Sequence, residues 1–365
     1  MTKRVLVVTD AWRPQINGVV RSIEPLIELA PRHGLEIEIM SPDMFRTVPL
    51  PTYPEIKLAI TSAGRVGRLI RDREPDCIHI ATEGPLGRAA RRACIRNGWK
   101  FSTAYHTRFP EYVAERKIAP ARLLYWILRR FHASSQAVLV ATDALHQDLE
   151  ARGFKNLVRW TRGVDTRRFY PRELPDRDPS SPVFIYVGRI AVEKNIDHFL
   201  SLDLPGKKVV VGDGPELSRL KREFPDVEFT GALEGEALAQ AYRNADVFVF
   251  PSRTDTFGLV LLEALASGLP IAAFPVMGPK DILGESGCGV LSEDLRSAAL
   301  LALDIPSWRC VEHAATFSWD VSMDQFVRAV DVGPLGWSKR PSLLPVVSFP
   351  EKVTPAGEPT RSSAI

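Results

Sequence analysis

Residues 251–270 read PSRTDTFGLVLLEALASGLP, and residues 244–250 before them read NADVFVF. The apolar VFVF run has the length and bounds of a buried strand, and it empties into a loop at Pro251. Asp255 and Thr256 are natural N-cap side chains for a helix that Gly268 and Pro270 then stop. The backbone N–H groups of Phe257, Gly258 and Leu259 are expected to converge where the helix dipole favours an anion, and Gly258 leaves that spot open to a ligand. A diphosphate fits there. Glu263 lies five residues into the helix, roughly 7.5 Å along its axis. That is the offset from a diphosphate to the ribose hydroxyls of the same nucleotide, and one carboxylate accepts from both. The alternative is an amphipathic helix with a solvated glutamate, and the segment alone does not choose.

Upstream, Val183 to Gly188 (VFIYVG) is a second short apolar run between Pro182 and the polar Arg189-Ile-Ala-Val-Glu-Lys194-Asn195. Two cations therefore leave the C-terminal end of a strand together, the edge at which open α/β sheets bind ligands. Arg189 offers a planar fork and Lys194 a point charge, both suited to the oxygens of a departing diphosphate. Two surface cations in a strand-to-helix loop are the rival reading. The two segments together favour a nucleotide site.

Several motifs then fall in register. Gly188-Arg189 with Glu193-Lys194-Asn195, Val211-Gly-Asp-Gly-Pro215, Phe229-Thr-Gly-Ala-Leu233 and the Asp255 to Glu263 block resemble the donor domain of the retaining GT-B glycosyltransferases, in particular family 4. Asp10-Ala-Trp-Arg-Pro-Gln-Ile-Asn17-Gly18 resembles that family's N-terminal glycine loop, and Ala104-Tyr-His106-Thr its active-site histidine segment. The resemblance runs from about residue 4 to about residue 330. It implies two facing Rossmann-like domains and transfer of a hexose-type sugar from a nucleotide sugar, UDP-sugar favoured, with no further cofactor. It implies catalytic contributions from His106, Arg189, Lys194 and Asp255. Gly18, Arg189, Lys194, Leu233, Phe257, Gly258, Leu259 and Glu263 are implied to bind the donor, with Asn17 assisting. The family commonly carries Glu-x7-Glu; this chain has Asp255-x7-Glu263, one methylene shorter, which leaves Asp255 between a sugar contact and a helix cap. His106 is either the group that orients the donor sugar or a loop histidine without a role. Glu83 stands between an acceptor contact and no function.

Composition agrees with a two-domain enzyme. The chain has 365 residues, 45% hydrophobic and 25% charged, more than the about 250–300 residues at which one core stops growing. No apolar run reaches the ~20 residues of a membrane-spanning helix. MTKRVLVVTD reads as a first strand and not as a signal peptide, so a cytoplasmic location is expected. Cys77, Cys94, Cys288 and Cys310 show no metal-ligand or CxxC spacing and read as buried thiols.

Charge is uneven. Residues 1–170 hold 28 Lys and Arg against 17 Asp and Glu, and residues 171–365 hold 19 against 27. The basic residues cluster as Arg65, Arg68, Arg71 and Arg73, as Arg88, Arg91, Arg92 and Arg96, and along Ala121-Arg-Leu-Leu-Tyr-Trp-Ile-Leu-Arg-Arg-Phe131. The last is a strongly apolar helix edged with arginine, suited to an anionic membrane surface, though a solvated basic face reads equally well. Nucleic acid is not expected, for want of a recognition motif or stacking platform.

Strands and helices alternate throughout, an α/β pattern. Strands are expected near 4–9, 35–40, 56–60, 77–81, 100–104 and 137–141, and again near 183–188, 207–212, 227–230, 246–250 and 270–274. The resulting organisation is an acceptor-side domain over 1–165, a linker over 166–182, a donor domain over 183–317, a crossover helix over 318–330 and a tail with little structure over 331–365. Asp176-Arg-Asp178 in the linker is a literal DxD. It lies between prolines, follows no strand and has no supporting ligands, so no metal is assigned; Arg189, Lys194 and the helix N-terminus suffice to neutralise the leaving group. The TDTFG and EGPLG wording resembles the sulfoquinovosyl-, glucosyl- and glucuronosyl-diacylglycerol branch, which implies a diacylglycerol-type acceptor at the inner membrane face. GDP-mannose-dependent mannosyl transfer is the rival within the family. A non-catalytic nucleotide-sugar binder is the rival outside it.

Overall fold

The computed structural model describes residues 2–14, 17–50, 53–106, 110, 120–173, 180–253, 255, 257–333 and 335. Thr256, the Asp176-Arg-Asp178 motif and the tail from residue 336 lie outside the described residues. Two six-stranded parallel sheets organise the rest. The first holds β1 (Lys3–Val8), β2 (Leu35–Met40), β5 (Cys77–Ile80), β6 (Ser102–Tyr105), β7 (Ala137–Val140) and β8 (Leu157–Arg159) in the order β2-β1-β5-β6-β7-β8. The second holds β9 (Val183–Val187), β10 (Lys207–Val211), β11 (Glu228–Gly231), β12 (Val247–Phe250), β13 (Ile271–Ala273) and β14 (Gly289–Leu291) in the order β11-β10-β9-β12-β13-β14. Central strands such as VFIYV and VFVF are apolar at every position because helices cover both faces of a parallel sheet.

The strand expected at 56–60 belongs elsewhere. It forms part of β4 (Tyr53–Ile60), which pairs antiparallel with β3 (Arg46–Leu50) in a separate two-stranded sheet. An antiparallel partner lies only a short loop away, whereas joining the parallel sheet requires a crossover of a dozen or more residues.

Both large sheets reverse their winding beside their first strand. From β1 the chain goes outward to β2 and then crosses to β5; from β9 it goes outward to β10 and β11 and then crosses to β12. The loops leaving β1 and β5, and those leaving β9 and β12, therefore splay apart and open a crevice at each switch point.

The helix Trp319–Val330 buries Met323, Phe326, Ala329 and Val330 among first-sheet residues including Val5, Val7, Leu139 and Trp160. The segment leading to it touches the outgoing connection: Val164 N–H donates to the Phe317 carbonyl at 3.1 Å. A Cβ on Gly163 would lie 2.3 Å from the Trp319 nitrogen, so this crossing of the two connections admits only glycine without a shift.

Candidate functional site

The loop after β9 is built by glycine. Gly212 (φ +148°) and Gly214 (φ +156°) adopt backbone that disfavours side chains, and their Cβ atoms would lie 1.9 Å from the Gly188 carbonyl and 2.2 Å from that of Ile190. The loops after β9 and β10 thus pack directly on one another. Arg189 is half-buried and Lys194 points across to the loop after β12, where its Nζ donates to Asp255 Oδ1 at 2.5 Å. Among the described residues Asp255 Oδ2 is shielded from solvent and has no partner.

This pairing corrects the capping expectation for Asp255. The helix after β12 is Leu259–Ala266; its N-cap is Gly258 at φ +89°, and among the described residues no side chain caps it. Asp255 lies too early to cap and instead meets the Lys194 ammonium, a charge-assisted bond stronger than one to a neutral amide. Phe257 is buried, and Gly278 of the neighbouring helix Met277–Leu283 leaves room for this loop, since a Cβ there would stand 2.9 Å from the Phe257 carbonyl. Leu233 is half-buried beyond a register shift in the β10–β11 pairing, where Val210 faces Phe229 and Val211 faces Gly231. The bulge turns the segment after Gly231 out of the sheet.

Glu263, fifth in its helix, is 12% exposed. Its Oε1 accepts from Arg21 Nη1 at 3.1 Å and its Oε2 from the Tyr242 hydroxyl at 2.9 Å. Arg21 belongs to the helix Gly18–Leu29 of the first sheet's layer, so this carboxylate joins the two halves of the fold. Tyr242 was absent from the sequence reading. Its fully buried hydroxyl is pushed well above its usual range, first by burial and then by the Glu263 charge, so it remains a donor. The signal for it was available: Leu238, Ala239 and Tyr242 share the buried face of the helix Gly235–Arg243, and a tyrosine buried that way needs a hydrogen-bond acceptor.

On the other side of the crevice, Asn17 caps the helix Gly18–Leu29 by accepting from Val19 N–H at 3.0 Å and Val20 N–H at 3.2 Å. Among the described residues nothing lies within 4 Å of a Cβ on Gly18. Asp10, at the end of β1, accepts from Leu86 N–H at 2.7 Å and Gly87 N–H at 3.1 Å, so it serves as the cap of the helix Pro85–Asn97. The glycines of EGPLG follow from this packing: a Cβ on Gly84 would strike the Asp10 carboxylate and one on Gly87 the Thr82 carbonyl. Glu83, just before Gly84, accepts from His132 Nε2 at 3.2 Å, and His132 is buried with Nδ1 2.9 Å from Thr103 Oγ1. His106 follows β6, with its Nε2 shielded from solvent and its Nδ1 3.4 Å from Arg162 Nη2.

A cavity of about 640 Å³ lies between the two layers, lined by Arg13, Arg21, Glu24, Asp165, Glu234 and Glu263 among others. That volume suits a small-molecule ligand. Of the residues singled out by sequence, Leu259 and Glu263 line it, while His106, Arg189, Lys194 and Asp255 do not. The basic clusters of the N-terminal half are partly engaged internally. Arg73 pairs with Glu38, Arg71 bonds Asn97, and Arg91 donates to the Phe131 carbonyl at 2.7 Å and the Arg130 carbonyl at 2.8 Å, closing a helix C-terminus. Among the described residues no group of three or more His, Cys, Asp or Glu side chains is placed to hold a metal ion, and no helix is long and apolar enough to cross a membrane.

Residues 16–168 match the family model described as Glycosyltransferase Family 4, and residues 181–304 match Glycosyl transferases group 1. The chain is 32% identical over 318 residues to a GDP-mannose-dependent alpha-mannosyltransferase of Mycobacterium tuberculosis, covering 79% of this chain and 83% of that protein. It is 35% identical to the sulfoquinovosyl transferase SQD2 of Arabidopsis thaliana over 66% of this chain and 50% of that protein, about half its length. An alpha-monoglucosyldiacylglycerol synthase of Streptococcus pneumoniae is 24% identical over 82% of this chain and 78% of its own. Among solved structures, the sucrose-phosphate synthase of Thermosynechococcus elongatus superposes with a TM-score of 0.73 at 18% identity, over 89% of this chain and 98% of its own. With two parallel-sheet layers, the motif order and a relative at this identity over most of both chains, the protein belongs to the GT-B glycosyltransferases of family 4.

Proposed function

We propose that the protein transfers a hexose-type sugar from a UDP-sugar to the hydroxyl of a diacylglycerol-type lipid, with retention of anomeric configuration and without a metal. The observation that carries the donor half of this reading is Glu263. Its carboxylate stands in the cavity between the two sheets, on the helix that follows the Asp255 loop, with lone pairs left over for ribose hydroxyls beside those taken by Arg21 and Tyr242.

The chemical problem is negative charge on the departing diphosphate while the sugar becomes cation-like. Arg189 and Lys194 supply the opposing charge, and the backbone at Phe257 to Leu259 supplies donors. As the acceptor oxygen bonds to the anomeric carbon, the bond to the β-phosphate breaks and its electron pair leaves with the nucleoside diphosphate; the acceptor's proton passes to the departing phosphate oxygen. Acceptor and leaving group share one face of the sugar, so no protein nucleophile is assigned. In this reading Asp255 Oδ2, buried and without a partner among the described residues, accepts from a sugar hydroxyl, and His106 meets the sugar from the other layer. The domain limits at 165, 183 and 317 belong to the same proposal.

The lipid acceptor is supported by the helix Ala121–His132. Leu123 and Trp126 are 50% and 52% exposed beside the exposed Arg122, Arg129 and Arg130, while Tyr125, Leu128 and Phe131 anchor the opposite face. Such a surface suits an anionic bilayer. The diacylglycerol in the name of the streptococcal relative points the same way. A second reading, transfer of mannose from GDP-mannose, is favoured by the mycobacterial relative, which is matched over more of its length than SQD2. Incubation with radiolabelled UDP-glucose, UDP-glucuronate, UDP-sulfoquinovose and GDP-mannose, each with a total lipid extract, separates these readings. Label from a UDP-sugar in the organic phase is expected. Label from GDP-mannose alone would replace the donor assignment, and no transfer to lipid from any donor would remove the acceptor.

A further inference from the structure

Arg162 sits where the chain leaves the first sheet, and it is only 4% exposed. Among the described residues no carboxylate lies within ion-pair distance of it. Its partners are neutral: Nε donates to Ser22 Oγ at 2.9 Å, Nη1 to the carbonyls of Trp160 at 2.6 Å and Thr161 at 3.1 Å, and Nη2 to His106 Nδ1 at 3.4 Å. The guanidinium carbon lies 3.7 Å from the centroid of the Trp160 ring. Burying a cation costs several kcal/mol unless it is fully hydrogen-bonded, so a guanidinium held by carbonyls, a hydroxyl, an indole face and an imidazole is a constrained object. Ser22 in turn donates to the Gly18 carbonyl at 2.5 Å, which ties the arginine to the glycine loop.

The contact with His106 has a chemical direction. A guanidinium has only donors, so the ring nitrogen it meets must be the acceptor. When Nδ1 accepts, the ring proton resides on Nε2. We propose that Arg162 is a positioning residue for His106, holding its imidazole as the neutral Nε2–H tautomer so that the histidine meets the sugar as a hydrogen-bond donor. The catalytic consequence rests on His106 facing the donor sugar; the tautomer does not. A neutral donor is what a cation-like sugar tolerates, because an imidazolium there would add like charge to the transition state. The surroundings act in the same sense. Burial first, then the Arg162 charge, then His79 and His132, hold His106 well below the usual histidine range, and Trp160 presents an edge at 5.7 Å. Lysine cannot replace the fork, since its single ammonium cannot reach the Trp160 carbonyl, Ser22 and His106 in one plane.

The test is nitrogen-15 NMR of the full chain labelled at its histidine imidazoles, with the His106 signals identified by their loss in His106→Gln. In the wild type, a non-protonated Nδ1, a protonated Nε2 and no titration between pH 5 and 8 are expected. In Arg162→Met and Arg162→Lys the Nδ1 resonance should move toward the protonated position, and kcat should acquire an acid limb that the wild type lacks. A wild-type His106 protonated on Nδ1, or titrating above pH 5, overturns the proposal even if neither variant folds. So does an unchanged tautomer in Arg162→Met. If the tautomer is as expected but His106→Gln transfers sugar at the wild-type rate, the sugar-facing role fails and the Arg162 assignment to the ring stands.

Discussion

After β9 and β12 two ion pairs form: Lys194 with Asp255, and Glu263 of the following helix with Arg21 of the first layer. Just past β8, Arg162 is buried among neutral acceptors that include His106 after β6, and His79, His106 and His132 have hydroxyls, rings and one glutamate for company. The first arrangement can exchange partners, because an incoming phosphate or hydroxyl replaces one half of an ion pair and leaves the other solvated or rebound. The second cannot, since moving any member strands a buried charge or donor. The Lys194–Asp255 and Arg21–Glu263 pairs are thus suited to exchanging partners, and the Arg162 cluster to holding one side chain in one protonation state.

The strongest way to break this contrast is acid. Burial, reinforced by Arg162, pushes His79 down to about 3. Its folded value lies below its unfolded one, so its contribution to stability is complete above pH 6.5 and is lost as pH falls toward 3, by about 4–5 kcal/mol. Urea unfolding between pH 7 and pH 4 should show this slope, and His79→Asn should flatten it; an unchanged slope in the variant would place the acid sensitivity elsewhere. On the exchangeable side, Lys194→Ala should lower transfer about 10²–10³-fold, the scale seen when one donor to a developing charge is removed, and Glu263→Ala should lose most transfer through a raised KM for the nucleotide sugar. Circular dichroism should stay native. Near-normal rates from both variants would remove the site assignment.

Two smaller effects sharpen the comparison. Gly163→Ala puts a methyl against the Trp319 backbone and ring, where the two connections between sheets cross, and should cost about 1–3 kcal/mol by urea denaturation. Arg21→Ala should cost at most ~1 kcal/mol, because Arg21 is 27% exposed and water takes its place beside Glu263 in the cavity. A loss of 3 kcal/mol or more there would mean that the Arg21–Glu263 pair behaves as a buried one, like the Arg162 cluster.

Central strands such as β9 and β12 were legible because each is an apolar run ended by glycine or proline. β3, β8 and β14 were not. β8 (LVR) and β14 (GVL) are three-residue edge strands, too short to show a period, and β3 (RTVPL) carries a proline and a mostly exposed pattern. Motif spacing singled out Lys194, Asp255 and Glu263, yet the pairing of Asp255 with Lys194 was not legible from it. Arg21 meets Glu263 across 242 residues and Arg162 meets His106 across 56, distances over which spacing carries no information. Tyr242 and His132 were hidden for the same reason, as core-facing side chains whose polar ends find partners on other elements.

Local order therefore belongs to the sequence itself. Apolar period, cap chemistry and the glycines at positive φ act between neighbours along the chain, and they specify two parallel sheets with their loops at one edge. Which carboxylate meets which cation, and which imidazole nitrogen keeps its proton, was decided by the tertiary structure. Those choices depend on burial and on distances of about 3 Å between remote segments, and both come into being only when the two sheets pack.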